Sequence, residues 1–175
     1  MLMRPALRKL ALTFHIVASL GWMGAVAGFI VLDVTTVTSA DVPTLRAAYI
    51  GMDLVIDWAI VPLAFASFVS GIVMSLGTKW GLFRHWWVVI TLILTVVATL
   101  VLLAQLPLIE HRADLAANPA TTDEAIRGEG NLLLHSVGGT VLLLVITVLN
   151  VYKPRGLTRY GWRRQQAEAA ETQVS

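Results

Sequence analysis

The sequence predicts an all-α, polytopic membrane protein: a four-helix bundle with both termini cytoplasmic. Three observations point there. Four apolar blocks, residues 10–32, 54–76, 86–108 and 132–152, each run for about 21–23 residues, and a bilayer core of ~30 Å needs ~20 residues at 1.5 Å rise. Only 14% of the 175 residues are charged and 57% are hydrophobic, with mean hydropathy +0.74; soluble domains average ~25% charged. Third, the cations are unevenly divided. Arg4, Arg8, Lys9, Lys79, Arg84 and five more in the C-terminal tail share the side of the termini, against Arg46, Arg112 and Arg127 on the other. The positive-inside rule assigns the richer side to the cytoplasm, here that of a bacterial plasma membrane.

Helix 1 opens with Arg4, Arg8 and Lys9 before its apolar run. That pattern imitates a signal peptide, but the run continues to Leu32, too long for an h-region, so an uncleaved first span is expected. Thr35–Ser39 reads as the turn that ends it, and 44–52 as a short surface helix. Helix 2 contains Pro62, which removes a backbone hydrogen bond and predicts a kink. Gly77–Gly81 makes a tight turn, and the Trp86-Trp87 pair opens helix 3 as an interfacial aromatic belt. Pro107 marks the far end of helix 3. The longest loop, 109–131, holds a helix start near Thr121 with Asp123 and Glu124 in its first turn. Helix 4 stops at Lys153-Pro154-Arg155-Gly156. Residues 1–164 thus form one transmembrane domain with a basic juxtamembrane tail, and the polar residues 165–175 are expected to fray.

Only four histidines occur, and all lie at or near span ends. His15 and His85 fall on the side of the termini; His135 and His111 fall on the other. Two imidazoles from different helices at one depth are the axial set of a b-type haem. The residues therefore offer His15 with His85 as an inner pair and His135 with His111 as an outer pair. Arg8, Lys79 and Arg84 stand ready for the propionates. Each histidine has a plain alternative, a hydrogen bond to a neighbouring helix or exposure to water.

Asp53 and Asp57 lie four apart on helix 2, with Asp33 and Glu110 at similar depth on other helices. Ionisable groups within a span are costly and mark functional sites. Asp57 and His135 are thus a candidate metal or proton site, and the chain an alternative candidate for a small ion-handling transporter. The alternative role for Asp53 is to cap helix 2. Gly24 and Gly28 form a GxxxG motif, expected to pack within the bundle. Asn150 is placed to bond another helix or the loop.

The tail carries Lys153, Arg155, Arg159, Arg163 and Arg164 among Tyr152, Tyr160 and Trp162. That mixture suits an anionic lipid surface, at ~1 kcal/mol per cation. A nucleic-acid role is not expected from so short a tail and a net charge of +2. The chain has no cysteine, which excludes disulfides, thiolate metal sites and a cysteine nucleophile. No HExxH, GxSxG or phosphate-binding glycine loop is present. A cofactor-binding or accessory role, as a homo-oligomer or in a larger membrane complex, is favoured over an enzyme.

Around His15 and Gly21-Trp22-Met23-Gly24, the chain resembles the first helix of the copper-resistance protein D family. More remotely, it resembles b-type cytochromes of the b561 kind. Residues 76–87 and 151–163 are similar to uncharacterised four-helix integral membrane proteins of actinobacteria, over nearly the whole chain. That family implies no established activity. The b561 likeness implies haem b, although helix 2 lacks the histidine that a second haem pair needs.

Overall fold

The computed structural model describes residues 3–78 and 80–174. Four helices in it are long and apolar enough to cross a membrane: Pro5–Thr38, Val42–Gly77, Trp86–Ala117 and Leu133–Tyr152. The first is α1. The second comprises α2, Val42–Val55, a π turn, Ile56–Ile60, and α3, Val61–Gly77. Then come α4, Trp86–Ala117, a short α5, Asp123–Gly128, α6, Leu133–Tyr152, and α7, Arg159–Val174.

Three of these helices overrun the apolar blocks. α1 continues through Thr35 and Thr36 to Thr38 instead of turning. The three hydroxyls bond back to the carbonyls of Val31, Asp33 and Val34, so polar residues extend the helix rather than end it. The segment 44–52 is not a separate surface helix. Asp41 caps α2, its carboxylate accepting from the Thr44 N–H at 3.0 Å and the Thr44 hydroxyl at 2.6 Å, and Pro43 fits the first turn. The two Thr44 donors hold the Asp41 carboxyl below the usual carboxylate range, hydroxyl first. Asp53 therefore caps nothing; it lies inside a helix that began at Val42.

Both internal prolines are absorbed. Pro62 comes two residues after the end of the π turn, and such a widened turn is a known place for a helix to accommodate a missing hydrogen bond. Pro107 lies inside α4 rather than at its end. α5 forms where expected, with the Thr122 hydroxyl accepting from the Ala125 N–H. The chain after Gln165 is helical to Val174, where polarity alone predicts fraying.

α1 packs on the second long helix and on α6, and α4 packs on the same two. Each long helix thus has two neighbours in a ring. α6, at 20 residues, is about 30 Å long. The other three are much longer, and their excess projects past the start of α6 on the side away from the termini. There the projecting ends and α5 enclose Val42, Leu45, Tyr49, Met52, Ile109 and Ile126.

Asp33 sets the level at which α6 enters. It has 0% exposure. Its carboxylate accepts from the Leu132 N–H at 2.9 Å and from the Ser136 hydroxyl at 2.7 Å. Leu132 is the cap position of α6, so α1 supplies the cap that α6 lacks in its own sequence. Replacing Asp33 by Ala leaves a buried N–H and a buried hydroxyl without their acceptor. The expected cost is about 2 kcal/mol, read as a lower unfolding midpoint in detergent; an unchanged midpoint would contradict this role.

Candidate functional site

A cavity of about 920 Å³ lies in the half of the molecule nearest the termini. It fits the size of a small-molecule or cofactor pocket, ~300–1,000 Å³. α4 packs closely on α2 and only loosely on α3, so the ring of helices is open at this end. Arg8 and Lys9 from α1, and Lys153 from the end of α6, belong to its lining. Deeper in stand His15, Trp22, Ser19 and Ser67, with Thr91, Thr95 and Thr147 on the opposite helices.

His15 is the polar centre of one wall. Its Nδ1 lies 2.9 Å from the Ser70 hydroxyl oxygen. That hydroxyl already donates to the Ala66 carbonyl at 2.6 Å. It therefore accepts from His15, which places the proton on Nδ1 and leaves the lone pair on Nε2. Nε2 has no hydrogen bond among the described residues. Gly71 lets the ring lie against α3: a Cβ there would meet His15 Cε1 at 3.2 Å. One turn further in, the hydroxyls of Ser19 and Ser67 bond at 2.7 Å. These two cross-links join α1 to α3 and line up the imidazole.

Trp87 forms part of the cavity wall near the start of α4. It is 7% exposed, and its indole N–H meets no acceptor among the described residues. The ring stands edge-on to Trp80 at 5.5 Å. Thr91, Thr95 and Thr147 bond back to carbonyls of their own helices. Asn150 does the same, donating to the Ile146 carbonyl at 2.9 Å instead of reaching another helix.

The structure separates the histidines. His85 is not on the cavity wall. It sits at the cap position of α4, with Nδ1 at 2.8 Å from the Trp80 carbonyl oxygen and its ring edge-on to the Trp80 indole at 5.2 Å. His111 is exposed on the extension of α4, and His135 is exposed in the first turn of α6. Lys79 lies outside the described residues. Arg84 is engaged elsewhere, pairing with Glu168 at 3.0 Å.

The acidic residues do not gather with His135 either. Asp33 is committed to α6. Asp57 is exposed on the π turn beside Trp58, which is 81% exposed. Asp53 is half-buried and Glu110 exposed. Among the described residues no group of three or more candidate ligands could hold a metal ion. Gly24 and Gly28 are open as well: a Cβ at either would touch nothing within 4 Å, so the GxxxG motif is not buried between helices of this chain.

In the tail, the Lys153 ammonium lies 5.4 Å from the Trp80 ring centroid. Arg155, Arg159, Arg163 and Arg164 are exposed. Ser70 and Gly71 were not expected at the site, and Trp87 was expected only in an interfacial belt. The spacing of Ser67 and Ser70 on one face of a span was the available signal.

The chain matches no protein-family model, no curated protein and no solved structure.

The tautomer of His15 is open to test. Nitrogen-15 NMR of the neutral ring should show Nδ1 protonated and Nε2 bare. Ser70→Ala should give a mixture of tautomers. A wild-type ring protonated on Nε2 would contradict the arrangement.

Proposed function

We propose that the chain is a four-span bundle of a bacterial plasma membrane, both termini cytoplasmic, that binds an amphipathic ligand in the cavity beside His15. The observation that carries this reading is an imidazole held through Nδ1 by Ser70 in the wall of a large, mostly apolar cavity. A metal-ligating histidine is held in this manner, its second nitrogen donating to an oriented partner. The cations Arg8, Lys9 and Lys153 at the same end suit a ligand with an acidic end, and Trp87 adds an indole donor.

Haem b is the leading candidate, and the residues fit it in one form only. His15 would hold the iron, with Arg8, Lys9 or Lys153 placed for the propionates. His85 is turned to Trp80 and is absent from the wall, so the fit is to one imidazole and not to the expected pair. A bound haem would supply one-electron redox chemistry. The chain's own part is to orient the imidazole through Ser70 and to surround the ring with apolar side chains. The metal-handling alternative built on Asp57 and His135 has no comparable support, because both are exposed and no third donor joins them.

Visible spectra of the detergent-purified protein, made with haem supplied, test this. The expected result is a Soret band that His15→Ala removes and His85→Ala leaves in place. Absence of a band, or a band indifferent to His15→Ala, would sink the haem assignment.

A further inference from the structure

We propose that the outward face of α7 recognises the anionic phospholipid headgroups of the leaflet at the termini, and that a latch to the α3–α4 loop aims it there. This surface is separate from the cavity and does not depend on what the cavity binds.

The latch has four parts. Leu157 bridges His85, and the Trp86 N–H donates to the Gly156 carbonyl at 3.2 Å. The Thr158 N–H donates to the Arg84 carbonyl at 3.0 Å, while its hydroxyl donates to the Phe83 carbonyl and accepts from the Gly161 N–H. Gly161 lies against the Arg84 carbonyl with no room for a Cβ. Finally, the Arg84 guanidinium grips both carboxylate oxygens of Glu168, at 3.2 and 3.0 Å.

These contacts fix the roll of α7. Thr158, Gly161 and Glu168 share the docked face. At 100° per residue, Arg159 and Arg163, two positions either side of Gly161, turn roughly 160° away from it. Trp162 and Tyr160 flank them and are half exposed or more. The acids Glu168 and Glu171 lie with Arg164 on the half turned toward Gly161, so the outward half carries Arg159 and Arg163 and no acid. Arg155, Arg159 and Arg163 make no ion pair or hydrogen bond among the described residues.

Position selects the occupant. α7 is tied to the first residues of α4, close after the end of α6 at Tyr152, which is itself exposed. That is the level at which two apolar helices leave the bilayer, and headgroup phosphates lie there. Guanidinium groups interleaved with Trp and Tyr match the phosphate and the apolar edge of such a layer together.

The chain has no cysteine, so Gln166→Cys, on the outward face, gives a unique spin-label site in the full-length protein. Reconstituted in phosphatidylcholine alone, the label should remain accessible to a water-soluble relaxant. Adding phosphatidylglycerol should lower that accessibility severalfold, and high salt should restore it. Arg159→Gln with Arg163→Gln should remove the response. Gly161→Ala keeps every cation but breaks the latch, and it should blunt the response too. Equal accessibility in both bilayers, or a response that survives the double arginine variant, would overturn the lipid assignment. An equal response to soluble polyglutamate would reassign the face to an acidic protein partner and also overturn it. A normal response in Gly161→Ala would overturn the latch.

Discussion

A single buried carboxylate, Asp33, determines how the two ends of this molecule differ. It crosses from α1 to the first turn of α6 and supplies the acceptor that α6 cannot supply for itself. A buried carboxyl group is tolerated only where its oxygens are hydrogen-bonded; here a backbone N–H and a hydroxyl do that. With α6 pinned at this level, the surplus lengths of α1, α2 and α4 must pack on one another beyond it. Their contacts are specific. The Arg46 guanidinium donates to the carbonyls of Ala116, Asn118 and Thr121, closing the end of α4. Arg112 pairs with Glu129 at 3.2 Å, and the Tyr49 hydroxyl donates to the Glu129 and Gly130 carbonyls. The long loop is thereby held at several points.

Among the described residues the opposite end lacks such ties between α3 and α4. The hydrogen bonds there run between α1 and α3, through His15 with Ser70 and Ser19 with Ser67. α4 contributes threonines that satisfy their hydroxyls within their own helix. Among the described residues nothing polar draws α4 toward α3, and the space between them is the cavity. The closed end and the open end are two results of one distribution of polar groups, and His15 owes its setting to both.

Much of the helical plan was legible in the chain. The apolar blocks located all four long helices, because length and hydropathy are local properties, and Thr122 with Asp123 and Glu124 located α5. The helix ends were misplaced where polar residues continue a helix. Thr35, Thr36 and Thr38 look like a turn until their hydroxyls find carbonyls one turn back, and Asp41 with Pro43 starts a helix that runs on into the next apolar block. Pro107 ends nothing because α4 carries it through. The site was less legible. Depth sorted the histidines correctly into two and two, but depth says nothing about direction around a helix. His85 faces Trp80, and His111 and His135 face outward. Asp33 was seen only as one of several acids at similar depth, since its partners lie about a hundred residues away at Leu132 and Ser136.

The helices are sealed at the Asp33 end and open at the end of the termini. Cysteine accessibility measures this directly in a chain with no native cysteine. Thr95 lies on the cavity wall, whereas Ala64 is fully buried between the helices and is not part of that wall. A water-soluble maleimide should label Thr95→Cys rapidly in bilayers open at the side of the termini and leave Ala64→Cys untouched. Protection of Thr95→Cys, or equal labelling of the two, would contradict the account.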